Sequence, residues 1–136
     1  MENRVIKFRV YILDNSGKVK CYFHEWLDGD GWKHDYYAPI VSNGVFSHKE
    51  LGDGFFGEIV RKRFSGLTDK NGVEIYEGDV VEKCYGSSVK TGVVAWHQER
   101  AMFILQDGFN EPLYQLPLNM IEVIGNVFEN PELLNP

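Results

Sequence analysis

The amino-acid sequence predicts an all-β (mainly β) protein, with an SH3-like small barrel in the C-terminal half, residues 63–136, and an N-terminal β-hairpin and loop-rich lobe over residues 1–62. Aromatic residues make up 14% of the 136-residue chain and glycines number fourteen, a pairing that favours twisted strands joined by tight turns. Apolar and polar residues alternate with a period of two over short runs. Asn-Gly and Gly-Asp pairs fall between those runs, where a reversal needs left-handed backbone.

The first element is a hairpin over about Arg4 to Trp26. Ile6, Phe8, Val10 and Ile12 alternate with Lys7, Arg9 and Tyr11, which places the two sets on opposite faces of a strand. Asp14-Asn15-Ser16-Gly17 supplies the turn, and Val19, Cys21 and Phe23 alternate with Lys20, Tyr22 and His24 on the return. From Leu27 to Gly54 the periodicity dissolves into turn formers around short apolar islands such as Ile40-Val41 and Val45-Phe46, and loops with short strands are expected. Phe55 to Phe64 fits a strand or a short helix, and β-branched Ile59 and Val60 with Gly57 favour the strand.

The segment Arg63 to Val81 is the most legible. Phe64 to Thr68 and Val73 to Tyr76 flank Asp69-Lys70-Asn71-Gly72, a hairpin signal, and Glu77-Gly78-Asp79 turns the chain into Val80 to Tyr85. Asp79 beside Gly78 is expected to cap its turn by accepting backbone N–H bonds. Strands follow at Gly92 to Trp96, Met102 to Leu105 and Ile121 to Phe128, with at most one helical turn in the tail after Asn130. Five or six short strands separated by glycine-bearing turns suit a bent barrel that closes on itself and so removes its edges.

Composition narrows the functional classes. A net charge of −6 argues against nucleic-acid binding through bulk electrostatics. The charge is uneven, because Arg4, Lys7, Arg9, Lys18 and Lys20 gather in the first twenty-three residues and seven acids follow between residues 24 and 60. Arg61-Lys62-Arg63 is too short for a binding patch. Cys21 and Cys84 lie in apolar contexts and are expected to fill core positions, with reduced thiols in a cytoplasmic protein. No run approaches the roughly 20 apolar residues of a membrane span.

Three blocks, Phe64 to Val81, Gly92 to Trp96 and Ile121 to Leu134, together with the Ile6-Lys7-Phe8-Arg9 opening, resemble the YopX family of small bacteriophage and prophage proteins in order and spacing. The resemblance weakens over about residues 24–58. It implies a β-rich fold with an SH3-like barrel in the C-terminal half and a phage or prophage origin in a bacterial cytoplasm; it implies no reaction and no catalytic residue.

Chemistry-bearing residues cluster in the N-terminal part. Lys7, Arg9, Lys18 and Lys20 could track phosphates while Tyr22 and Trp26 stack on bases, and Trp32, Tyr36 and Tyr37 add exposed aromatic anchors for a partner. His24, Asp28, Asp30 and His34, with Glu25 and Asp35 nearby, hold oxygen and imidazole donors, but their spacing fits no metal-ligand signature, and Asp28-Gly29-Asp30-Gly31 lacks the closing glutamate of a calcium loop. There is no Gly-x-Ser-x-Gly elbow and no phosphate-cradling glycine loop, so neither a catalytic residue nor a cofactor is expected. The leading expectation is a non-enzymatic interaction module, a homo-oligomer or the binder of a protein partner. A nucleic-acid-binding protein of phage DNA metabolism comes second and a metal-dependent hydrolase third.

Overall fold

The computed structural model describes residues 6–14, 16–34, 40–42, 45–48, 52–55 and 58–134; over 40–55, and at Lys20, Cys21, His34, Glu58 and Tyr85, the description covers the backbone alone. Among the described residues every element is a β-strand or a 3-10 turn, so the all-β expectation holds. The chain divides into two units, Met1–Arg63 and Phe64–Pro136.

In the first unit, β1 (Ile6–Leu13) and β2 (Val19–Asp28) form the hairpin. Asp14 sets its turn: Oδ1 accepts from the Ser16 and Lys18 amides at 2.8 and 3.0 Å, which satisfies donors the reversal would otherwise strand. β3 (Gly31–His34) extends the sheet beyond β2, while β4 (Ile40–Ser42), β5 (Val45–His48) and β6 (Gly52–Phe55) make a separate antiparallel meander. β7 (Glu58–Thr68), a strand as its β-branched residues suggest, pairs antiparallel with β1 and completes the order β3-β2-β1-β7. Val10, Ile12 and Phe23 form the core on one face, with Phe8 and Ile59 against it.

The alternation expected along β1 governs only its first half. Tyr11, placed by period with Lys7 and Arg9, is 1% exposed, and Val10 to Leu13 are buried on both faces of the strand. The Arg9 Nη1 donates to the Tyr11 hydroxyl at 3.1 Å, which gives that buried oxygen a partner.

In the second unit, the last residues of β7 pair with β8 (Glu74–Tyr76) across the Asn71-Gly72 turn, where Gly72 has φ 80°, backbone that glycine adopts without strain. β9 (Asp79–Tyr85), β10 (Ser88–His97), β11 (Met102–Gln106), β12 (Glu111–Pro112) and β13 (Ile121–Asn126) form an antiparallel sheet in the order β12-β11-β10-β9-β13. Ile75, Val81, Val94, Leu105, Leu113, Leu116 and Ile121 form its core. β10 lies so close to β11 that a Cβ on Gly92 would come within 2.9 Å of the Gln106 carbonyl oxygen.

The sheet is open where a closed barrel was expected: β12 and β13 are its two edges and do not pair. β12 is two residues long and ends at Pro112, which lacks the N–H that a longer ladder needs, and 3-10 turns at Leu113–Gln115 and Leu118–Met120 take its place. The tail makes one 3-10 turn, Pro131–Leu134, as the sequence suggests. It is entered through Asn126, whose Oδ1 accepts from the Phe128 and Glu129 amides at 3.0 and 2.8 Å.

Candidate functional site

Residues directly opposite in an antiparallel ladder share a face, so the register of the first sheet sorts its side chains. Lys7 lies opposite Trp26, and Trp26 opposite Lys33. Arg9 lies between His24 on one side and Lys62 on the other, and Tyr11 lies opposite Tyr22. One face therefore carries four cations, Lys7, Arg9, Lys33 and Lys62, interleaved with the rings of Tyr22, His24 and Trp26. By register two acids share this parity at the ends of the face: Glu58, opposite Leu13 at the start of β7, and Asp28, at the far end of β2, where its Oδ1 accepts from the Asp30 amide at 2.8 Å.

Five of the side chains on this face meet in pairs. Lys7 Nζ sits 5.8 Å from the Trp26 ring centroid and the Arg9 guanidinium 5.9 Å from that of Tyr22. Tyr22 and His24 meet edge to face at 5.9 Å with 90° between planes. Tyr22 is 46% exposed, Lys33 is exposed, and Lys7, Arg9, His24, Trp26 and Lys62 are half-buried. Partly exposed rings flanked by cations can stack on a flat anionic ligand and neutralise its charge in one contact.

The register brings together Lys7, Arg9, Tyr22 and Trp26 of the residues expected to bind, and separates the rest. Trp32 belongs to the opposite face, 6.0 Å from Phe8, in a depression of about 480 Å3 lined by Ile6, Phe8, Glu25, Trp32 and Arg61. Arg61 Nε donates to Glu25 Oε1 there at 2.7 Å. Lys18 lies exposed beside the turn. Tyr36 and Tyr37 lie outside the described residues, as do the side chains of Lys20 and His34. Sequence reasoning missed Lys33 and Lys62. The signal for Lys62 was its parity within Arg61-Lys62-Arg63, which sends the middle residue to the face of Arg9 and its neighbours to the other.

The register separates the two histidines of the candidate metal set. His24 and His34 occupy alternate rows, His24 opposite Arg9 and His34 opposite Glu25, while Asp28, the last residue of β2, and Asp30, in the turn to β3, are exposed. Among the described residues no three of His, Cys, Asp and Glu gather closely enough to hold a metal ion.

Buried charges of the second unit serve its architecture. Asp69 is 5% exposed; Oδ1 accepts from the Asn71 and Val73 amides at 2.8 and 2.9 Å, and Oδ2 from the Val123 amide at 2.9 Å. Burial pushes its pKa up, but these amides outweigh it and hold the carboxyl below its usual range. Asp79 Oδ2 accepts from the Tyr76 amide at 2.8 Å, the turn cap expected of it.

Lys83, fully buried on β9, was not foreseen: its Nζ donates to Asp107 at 3.1 Å and Glu111 at 2.8 Å. Burial favours the neutral amine, yet the two carboxylates outweigh it and raise the Lys83 pKa. Asp107 is likewise pushed up by burial and brought below its usual range by the Phe109 amide and Lys83. Cys84, expected in the core, is half-buried because period two turns Lys83 inward beside Val81 and leaves Cys84 on the row of Glu82. A second depression, of about 220 Å3, is lined by Leu67, Trp96, Met102, Phe103, Leu113 and Tyr114 and offers no titratable group other than the Tyr114 phenol. No helix among the described residues is long and apolar enough to cross a membrane.

A family model described as YopX protein matches residues 7–135. Among solved structures, the chain is similar to that titled crystal structure of protein EF1440 from Enterococcus faecalis, with 26% identity over 96% of this chain and 98% of that one and a TM-score of 0.48. No curated protein matches the chain.

Proposed function

This chain belongs to the YopX family, and we propose that it is a non-enzymatic binding module whose N-terminal sheet engages an anionic macromolecule. The observation that carries the reading is the face on which Lys7, Arg9, Lys33 and Lys62 alternate with Tyr22, His24 and Trp26. Its local charge is opposite in sign to the net −6 of the whole chain, and a ligand within a Debye length of about 8 Å responds to the near cations more than to distant acids. The second unit supports a binding rather than a catalytic reading, because Asp69, Asp79, Lys83 and Asp107 are occupied in holding turns and strands.

Dextran sulfate, a flexible polyanion, tests the reading by the change in tryptophan fluorescence on titration. Binding is expected to weaken about tenfold or more when Lys7→Glu and Lys62→Glu are combined, and to fall steeply with salt. The opposite-face pair Arg61→Glu and Arg63→Glu makes the same change in net charge and is expected to leave binding within about twofold. Equal loss from both pairs would mean that overall charge, not this face, governs the interaction.

A further inference from the structure

Resting on that reading, we infer that the ligand of the cation-and-ring face is a single-stranded nucleic acid whose bases are splayed apart. Tyr22, His24 and Trp26 are every second residue of β2, so their backbone positions recur at about 6.8 Å, twice the ~3.4 Å advance of an antiparallel strand residue, and the Tyr22 and His24 ring centroids lie 5.9 Å apart. A stacked nucleic-acid strand advances by only about 3.4 Å per nucleotide. Bases that are stacked on one another therefore cannot each meet a successive ring. A strand stretched to one nucleotide per ring can.

The ring orientations point the same way. Tyr22 and His24 stand perpendicular, so two successive bases lying on them must turn relative to each other, which an unstacked strand allows and a duplex does not. Cations border the ring ladder on both sides, Lys7 and Arg9 on β1 and Lys33 on β3, with strands about 4.8 Å apart, and Lys62 extends the row through Arg9. Phosphates on either side of splayed bases meet a positive charge. A duplex would offer this face its phosphates alone and leave the rings unfilled, and an acidic peptide would offer carboxylates and likewise leave the rings unfilled.

Fluorescence anisotropy with labelled twelve-residue probes tests the inference: oligo-dT, oligo-rU, a duplex of the same length, an abasic deoxyribose-phosphate strand and poly-Glu, with dextran sulfate measured alongside. Oligo-dT, oligo-rU or both are expected to bind at least tenfold more tightly than the duplex, abasic and poly-Glu probes, and their ratio tells DNA from RNA preference. Tyr22→Leu and Trp26→Leu are each expected to weaken the single-strand complex about tenfold, the order of one lost base–ring stack, while dextran sulfate binding stays within about twofold. Unchanged dextran sulfate binding also shows that each variant is folded. Equal affinity for the abasic, duplex or poly-Glu probe overturns the inference, as does dextran sulfate binding without binding of either single strand; in both cases the binding-module reading stands. If none of the polyanions binds, both fall.

Discussion

Asp69 shows how much one side chain can organise. Its two oxygens take three backbone amides, two from its own hairpin turn and one from Val123, 54 residues along. Asp69→Ala takes the charged acceptor from three half-buried or exposed amides and is expected to cost about 2 kcal/mol in a urea titration; Asp69→Asn, which keeps one acceptor oxygen, should cost less. The lowered pKa values of Asp69 and Asp107 also set a pH dependence. Each carboxylate contributes its stabilisation above the unfolded-state pKa of about 3.9 and loses it as pH falls through the lower folded value. Thermal melts should hold level down to about pH 4 and drop below it, with a shallower drop in Asp69→Ala. The turn role of Asp69 and the cap role of Asp79 are legible in their Gly and Asn neighbours. The Val123 contact is not, because no local pattern encodes it.

At the level of elements, hairpins joined by short turns are legible and long-range partnerships are not. β1, β2 and the β7–β8 reversal announce themselves through alternation and Asn-Gly or Asp-rich turns. Lys83 does not: parity puts it beside Val81 on the inner face, but a lone charge argues for the outside until Asp107 and Glu111, 24 and 28 residues away, are in place. Lys83→Ala, which strands the buried Asp107 carboxylate, is expected to cost about 3–5 kcal/mol, whereas Lys83→Met combined with Asp107→Leu should recover most of it. A double-mutant cycle by chemical denaturation measures the coupling. Because the Lys83 pKa is raised, its contribution is complete below the unfolded value of about 10.4 and declines only as pH climbs through the folded one.

For the whole molecule, the all-β class was legible and barrel closure was not. Strand count and turn spacing do not reveal that Pro112 stops β12 at two residues and leaves the sheet open. The candidate site was half legible. Lys7, Arg9, Tyr22 and Trp26 follow from one hairpin, but Lys33 and Lys62 join them only once β3 and β7 are known to flank it, and the route through residues 27–58 has no clear period. A net charge of −6 hides a locally basic face because a total carries no geometry. The bond from the Val123 amide to Asp69, with that from the Lys70 amide to the Ile121 carbonyl, bears also on how the protein is made. While the ribosome is still extending the polypeptide, the Asp69 hairpin has nothing to dock on. A product released early, before Ile121, would reach the cell's proteases with that carboxylate half used and its hydrophobic residues uncovered.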